Sequence, residues 1–355
     1  MPPLSEEDDE LVPRNNPDLI GHEKAEREFV KAFNAGRLHH AWLITGPAGI
    51  GKATLAYRMA RFVLSQPAAD DGPGLFGDDL PANDPESLYV SPETPVFKRI
   101  TAGGHTDFRA IERGSDEKTG KRRAEILVGE VRGIGEFMSL TPGEGGWRVV
   151  LIDSADELNT NAANAVLKVL EEPPKNALML LVCHNPGRLL PTIRSRCRRL
   201  ALNPLSEAEV AGLLETHLPE LPPEERMHLA HLSEGSLGRA LRFAEDSALE
   251  ISGEMTKLFN DLPRLDIPTV HRLGDKIARD NSGEAFAVAT EIMSQWLTRT
   301  IKSDAIQQGP TPALEQWIEV WEKTSRLFRQ TDGINLDKKQ VIVHAFQSIG
   351  DAARP

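Results

Sequence analysis

Cysteine is nearly absent: Cys183 and Cys197 are the only two in 355 residues. Two thiols cannot build a disulfide framework or a thiolate zinc site, so a reducing cytoplasm is the expected compartment. No apolar run approaches the roughly 20 residues that a bilayer-spanning helix needs, and no membrane partner is expected. The opening stretch MPPLSEEDDE lacks the basic and apolar regions of a secretory signal. Net positive charge is lacking as well. Asp and Glu number 53 against 41 Lys and Arg, a formal charge of −12, which taken globally argues against nucleic acid as a partner. Apolar residues are not short. At 40% hydrophobic and 26% charged, the composition is that of a globular protein, long enough for roughly two domains of ~150 residues.

The charge is unevenly placed. Residues 1–18 carry six acids and one base; residues 66–95 carry seven acids and none. The rest of the chain holds 40 acids and 40 bases, so its body is neutral and its acidity excludes no work at DNA. It implies only that this chain is not the main DNA-gripping surface. Residues 66–95 also hold six prolines and three glycines, which reads as an acidic, flexible surface insertion. Residues 1–16 read as an acidic flexible tail, and Gly114–Arg123 as a loop or hairpin tip.

Between these interruptions, short continuous apolar runs alternate with helical patterns. Ala41–Thr45, Arg148–Ile152 and Ala177–Cys183 read as buried strands, with helices over about Lys52–Leu64 and from Ala162 to the stop at Pro173-Pro174. This predicts an α/β fold with a parallel sheet covered by helices on both faces. After Leu205 the strand signals end. Ser206 and Glu209 form a capping box for a helix to about His217, and Glu225–Ser233 and Leu237–Ala244 read as short helices. Past residue 250 the pattern is helical only. Its stripes (Phe286 to Leu297; Leu314, Trp317, Ile318 and Trp321; Ile342 to Ile349) are core or subunit-packing faces. The expected division is a nucleotide-binding domain over 17–204, a small helical lid over 205–250 and a helical collar or oligomerisation domain over 251–355.

Gly46-Pro47-Ala48-Gly49-Ile50-Gly51-Lys52 fits G-x-x-x-x-G-K between a strand and a helix. Such glycines let backbone N–H groups curl around phosphate, the helix N-terminus adds its dipole, and Lys52 reaches the outer phosphates. The alternative is a glycine turn with no ligand. The next position should offer a hydroxyl to Mg²⁺, but it is Ala53; Thr54 comes one residue later, rotated by ~100° around the helix. Asp153, ending the second strand, takes the place of the aspartate that supports Mg²⁺ through water. The glutamate that polarises water normally follows it, and here the residue is Ser154; Asp156 and Glu157 read as solvated N-terminal charges. Losing a general base typically costs ~10²–10⁴ in rate, so any ATPase of its own is expected to be weak or absent.

Residues 186–200 (PGRLLPTIRSRCRRL) carry five arginines and no acid. By charge alone this is either a solvated edge or a surface that meets phosphate. At this point the chain resembles the AAA+ P-loop subunits of bacterial clamp loaders. The likeness rests on Gly46–Lys52, Asp153, the run N-A-x-L-K-x-L-E-E-P-P from Asn164 to Pro174, and Ser195-Arg196-Cys197. It covers roughly residues 17–245. Gly104-His105-Thr106-Asp107-Phe108 and Gly235-Ser236-Leu237-Gly238-Arg239-Ala240-Leu241 resemble the delta-prime class within that family.

The resemblance implies a stator-like subunit in a hetero-oligomer with gamma/tau-type and delta-type subunits, helping to load the sliding clamp on primed DNA. It makes Arg196 an arginine finger acting in trans on ATP in a neighbouring subunit. It places Gly46, Gly49, Gly51, Lys52, Ala53, Thr54 and Asp153 at an ATP or ADP site with Mg²⁺, and Asn185 near the sensor-1 position. Family ATPases usually have arginine where this chain has Gly238, with Arg239 one residue later. Many relatives keep four cysteines between the two nucleotide motifs; residues 53–152 have none, so no zinc is expected. The alternative is an active AAA+ motor ATPase of a clamp loader.

Overall fold

The structure is a computed structural model, and it describes residues 12–66, 85–115, 123–144, 146–280, 282–309, 311–334 and 336–354. In chain order the first elements are α1 (Glu23–Asn34), β1 (Ala41–Thr45), α2 (Lys52–Ser65), α3 (Pro95–Thr101), β2 (Phe108–Ile111), α4 (Val128–Val131) and α5 (Ile134–Ser139). They are followed by β3 (Arg148–Asp153), a 3-10 turn (Ala155–Glu157), α6 (Thr160–Glu171), β4 (Ala177–Cys183), α7 (Pro191–Ser195), β5 (Arg198–Ala201) and α8 (Glu207–His217). The helices α9 to α15 are Pro223–Leu232, Leu237–Ala244, Asp246–Asn260, Ile267–Arg279, Glu284–Gln308, Pro312–Ile334 and Lys338–Ala352.

The five strands form one parallel sheet in the order β2-β3-β4-β1-β5. The expected three apolar runs are its central strands. Alternate residues point to opposite faces. Trp42, Ile44, Val149, Leu151, Leu180 and Val182 enter one apolar core with α2, whereas Leu43, Val150, Ile152, Met179 and Leu181 enter another with α6. Both faces being covered is what makes these strands read as unbroken apolar runs. Because all strands run one way, their carboxyl ends share an edge. There Thr45 pairs with Cys183 and Asp153 with Val182. β1 lies between β4 and β5, so the chain order reverses beside it, which is where open α/β sheets leave a ligand crevice.

Two stretches expected to be loose pack against this body. Leu88 is fully buried in the core of Trp42 and Phe62, and Asn34 Nδ2 donates to the Pro85 carbonyl at 2.9 Å. Thr94 then caps α3, its hydroxyl accepting the Phe97 amide at 3.3 Å, with Pro95 at the first helical position. The Thr-Pro pair that reads as linker composition is a helix start. Residues 67–84 of the expected insertion lie outside the described residues, as do 116–122 of the expected loop and 1–11 of the expected tail. Residues 12–16 of that tail are strapped down: the buried Arg61 guanidinium donates to the Asn16, Arg14 and Pro13 carbonyls at 2.9, 2.6 and 3.3 Å. It also lies 4.1 Å over the Phe97 ring. Arg58 holds the Pro17 carbonyl and pairs with Glu26 at 2.6 Å.

The segment Gly104–Phe108 has a structural role at the sheet edge. Asp107 is fully buried and accepts from the Gly143 amide (2.9 and 3.0 Å), the Glu144 amide (2.9 Å) and Arg148 Nη2 (3.3 Å). Its own amide donates to His105 Nδ1 at 3.1 Å. One carboxylate thereby ties the start of β2 to the loop that leads into β3.

The described residues fall into two compact units: residues up to Leu218 with Glu234–Gly238, and Pro219–Ser233 with Arg239 onward. These limits differ from the sequence-based ones at 204/205 and 250/251. Within the second unit an aromatic cluster forms the centre, with Phe259 stacked on Trp296 at 4.7 Å, Phe346 at 5.4 Å from Phe259, and Trp317 edge-on to Trp296 at 5.6 Å. Most of the expected helical stripes are therefore core. Ile318 and Trp321 are exposed. Among the described residues, no helix is long and apolar enough to cross a membrane.

Candidate functional site

The loop Gly46–Lys52 leaves the carboxyl end of β1 and turns into α2. Gly46, Gly49 and Gly51 all take positive φ. Gly51, the N-cap, has φ 96°, and a Cβ there would lie 2.9 Å from Leu19 Cδ1. Three loop carbonyls accept hydrogen bonds. Lys52 Nζ donates to Pro47 at 2.5 Å, the Gly238 amide to Gly49 at 3.0 Å, and His22 Nε2 to Ile50 at 2.6 Å. A trans peptide points its N–H opposite its C=O. The Ile50 and Gly51 amides therefore point away from the Gly238 and His22 donors, and the first-turn amides of α2 have no intrahelical partner. Amides of this kind at a helix start are donors that suit an anion.

Lys52 is buried, and burial pushes its amine down to about 8, against the opposing pull of Asp153 and Asp156. A desolvated ammonium beside two carboxylates is a group that gains from a bound phosphate. Ala53 supplies no ligand, and Thr54 is buried in the body one residue around the helix. Asp153 ends β3 as expected, and one of its oxygens already accepts from Ser154 Oγ at 3.2 Å. The residues fit a phosphate group well and a divalent cation poorly. Among the described residues, no cluster of three or more His, Cys, Asp or Glu could hold a metal ion.

Asp156 and Glu157 are not solvated N-terminal charges. Asp156 is buried and receives the His184 amide at 3.0 Å and the Asn185 amide at 2.9 Å. Glu157 pairs with Arg113 at 2.9 Å. They sit in the 3-10 turn ahead of α6, whose true N-cap is Asn159, so the dipole argument does not reach them. Asp156 instead clamps the end of β4 against the end of β3. This presents His184, a residue the sequence did not single out, whose Nε2 lies 2.8 Å from Ser154 Oγ. Burial, followed by nearby Lys52, lowers the His184 pKa from its ordinary value. The Asn185 side chain is exposed and accepts the Gly187 amide at 3.1 Å in its own turn. Its only signal was position, and position singles out His184 equally.

Gly238 lies against the loop, where a Cβ would stand 3.1 Å from Gly49 Cα. A side chain there would require the loop to give by a few tenths of an ångström. In the second unit, Arg239 pairs with Glu291 at 2.8 Å and donates to the Ser233 carbonyl at 3.0 Å. Arg196 caps α7, donating from Nη1 to Thr192 at 3.1 Å and pairing through Nη2 with Glu171 at 2.9 Å, and its side chain remains 37% exposed. None of its polar partners comes from the phosphate loop. The rest of the cluster is largely tied down locally: Arg194 donates to Pro186, Arg198 pairs with Glu28 over the Trp42 ring, and Arg199 donates to Thr45 Oγ1.

Comparison with known proteins bears directly on this arrangement. The sequence family described as DNA polymerase III, delta subunit, matches residues 21–206, just over half of the chain. The chain belongs to that family. It is 38% identical over 198 residues to DNA polymerase III subunit delta' of Pseudomonas aeruginosa, covering 56% of this chain and 53% of that protein. It is 30% identical over 214 residues to the Escherichia coli delta' subunit, covering 60% and 57%. A gamma subunit from Buchnera aphidicola is 28% identical over 260 residues, covering 72% and 64%. The matches to the two delta' proteins thus span little more than half of their lengths. A solved Thermotoga maritima protein related to the gamma subunit matches 93% of this chain and all of its own, at 18% identity and a TM-score of 0.43.

Proposed function

We propose that this chain is a stator-like, delta'-type AAA+ subunit of a bacterial DNA polymerase III clamp loader, working in the cytoplasm. In a hetero-oligomer with gamma/tau-type and delta-type subunits it helps load the sliding clamp on primed DNA. It presents Arg196 to ATP held by a neighbouring subunit. The observation that carries this reading is an asymmetry between what the chain keeps for itself and what it offers outward. Its own site lacks a hydroxyl at Ala53, a carboxylate at Ser154 and a guanidinium at Gly238, while Arg196 stands partly exposed on a separate turn.

In this reading the loop amides and Lys52 bind the phosphates of ATP or ADP. Ser154 and His184 fill the place of the water-polarising carboxylate with a neutral pair. In the neighbour's site, Arg196 offsets charge that develops on the transferred phosphoryl group. The second reading, an active motor ATPase, is favoured by the intact cradle and buried Lys52.

Two expected results follow. A phosphate favours protonated Lys52, whose amine titrates at about 8 in the free chain. Affinity for a fluorescent ADP analogue should be level below that pH and fall above it, by at most about tenfold per pH unit. Level affinity across that range would remove Lys52 from the phosphate. Second, mixing the chain with gamma/tau-type and delta-type subunits should give one larger species in size-exclusion chromatography. Substituting both exposed residues, Ile318→Asp with Trp321→Asp, should block its entry while leaving the helical circular dichroism unchanged. A wild-type chain that stays apart from those subunits would contradict the proposal.

A further inference from the structure

Resting on the reading of Arg196 as a finger acting in trans, we propose that Glu171 is the positioning residue that sets its guanidinium. Glu171 is the last residue of α6, a helix fixed to the sheet by Ala162, Val166 and Leu170 and ended by Pro173-Pro174. Arg196 closes α7, which is anchored by the fully buried Ile193. The guanidinium is thus held between two packed elements, by the Glu171 carboxylate at 2.9 Å and the Thr192 carbonyl at 3.1 Å. These contacts use one N–H from each terminal nitrogen. A guanidinium has five, so three remain for an incoming phosphate.

A carboxylate at a helix C-terminus meets the negative end of the dipole, so α6 gains little from Glu171 by itself. What the residue supplies is a partner that restricts the rotamers of a long, flexible side chain before a neighbour docks. Arginine lends itself to this because its planar fork keeps its remaining donors in fixed directions once two are tied. The residue lies in the E-E-P-P run, which no step at the chain's own phosphate loop uses.

The test uses the full chain reconstituted with its ATPase partners, measuring DNA-stimulated ATP hydrolysis. Arg196→Ala defines the part of the rate that depends on the arginine. Glu171→Ala is expected to remove at least half of that part, through kcat and not through KM for ATP. Glu171→Gln, whose amide oxygen still accepts from Nη2, should restore most of it. The double variant should match Arg196→Ala alone, the non-additivity expected of two residues acting as one. A wild-type or raised rate for Glu171→Ala, where Arg196→Ala lowers it, would overturn the positioning role and leave the finger intact. A double variant slower than Arg196→Ala would also overturn it, because Glu171 would then act independently. An unchanged rate for Arg196→Ala would instead remove the finger reading, and this inference with it.

Discussion

Replacing Arg196 with alanine is expected to slow hydrolysis at the neighbouring subunit's site by about 10³-fold or more, the range found for arginine fingers elsewhere. The steady-state rate of the whole complex would fall by that site's share. The substitution should leave the fold untouched, since the pair with Glu171 is a partly exposed one of the kind worth about 0–1 kcal/mol. Arg196→Lys should recover little, because an ammonium keeps the charge but not the planar fork that meets two phosphate oxygens. Single-turnover hydrolysis in the reconstituted complex reads the effect directly. A complex that assembles normally and hydrolyses at the wild-type rate would show that Arg196 is a surface arginine and no more.

The second large effect is on stability. Asp107→Ala is expected to destabilise the sheet edge by about 3–5 kcal/mol, the usual cost of leaving one member of a buried ion pair uncompensated. Arg148 would lose its carboxylate, though it would keep the Leu140 and Thr141 carbonyls at 3.0 and 2.7 Å. The Gly143 and Glu144 amides would lose their acceptor in the same step. Amide hydrogen exchange along β2 and β3 should accelerate by about 10² to 4 × 10³, since each 1.4 kcal/mol of opening free energy is a factor of ten. Asp107→Asn, which keeps one acceptor oxygen, should lie between. Protection of β3 unchanged in Asp107→Ala would show that Arg148 is satisfied by carbonyls alone.

Much of the sheet is legible in the sequence because its central strands are buried on both faces and read as continuous apolar runs. β2 and β5 are less so. Phe108–Ile111 and Arg198–Ala201 are four-residue edge strands with exposed positions, and β5 presents two arginines outward. Local chemistry that closes within a few residues was also readable. Ser206 and Glu209 form their capping box, and α6 ends just before Pro173-Pro174. The misreadings share a cause. Whether Asp156 is solvated or buried depends on amides nearly thirty residues away, at the end of β4. Whether residues 12–16 are loose depends on Arg61, and whether Leu88 is loose depends on the core of Trp42. Composition cannot supply such partners.

The glycine loop shows the same limit. Its motif, and the substitutions at Ala53, Ser154 and Gly238, stand in the sequence. The contact of Gly238 with Gly49 and the approach of His184 to Ser154 arise only when separate segments fold together. A Cβ at position 238 would meet the loop backbone, and Ser154 is paired with the His184 imidazole.

The most direct test is the steady-state ATPase of the isolated chain, with and without primed DNA, compared with that of its Lys52→Ala variant. The account predicts that the wild type turns over no faster than the variant, while the reconstituted complex hydrolyses ATP in a manner that depends on Arg196. A turnover by the isolated chain comparable to a motor subunit, and abolished by Lys52→Ala, would contradict it.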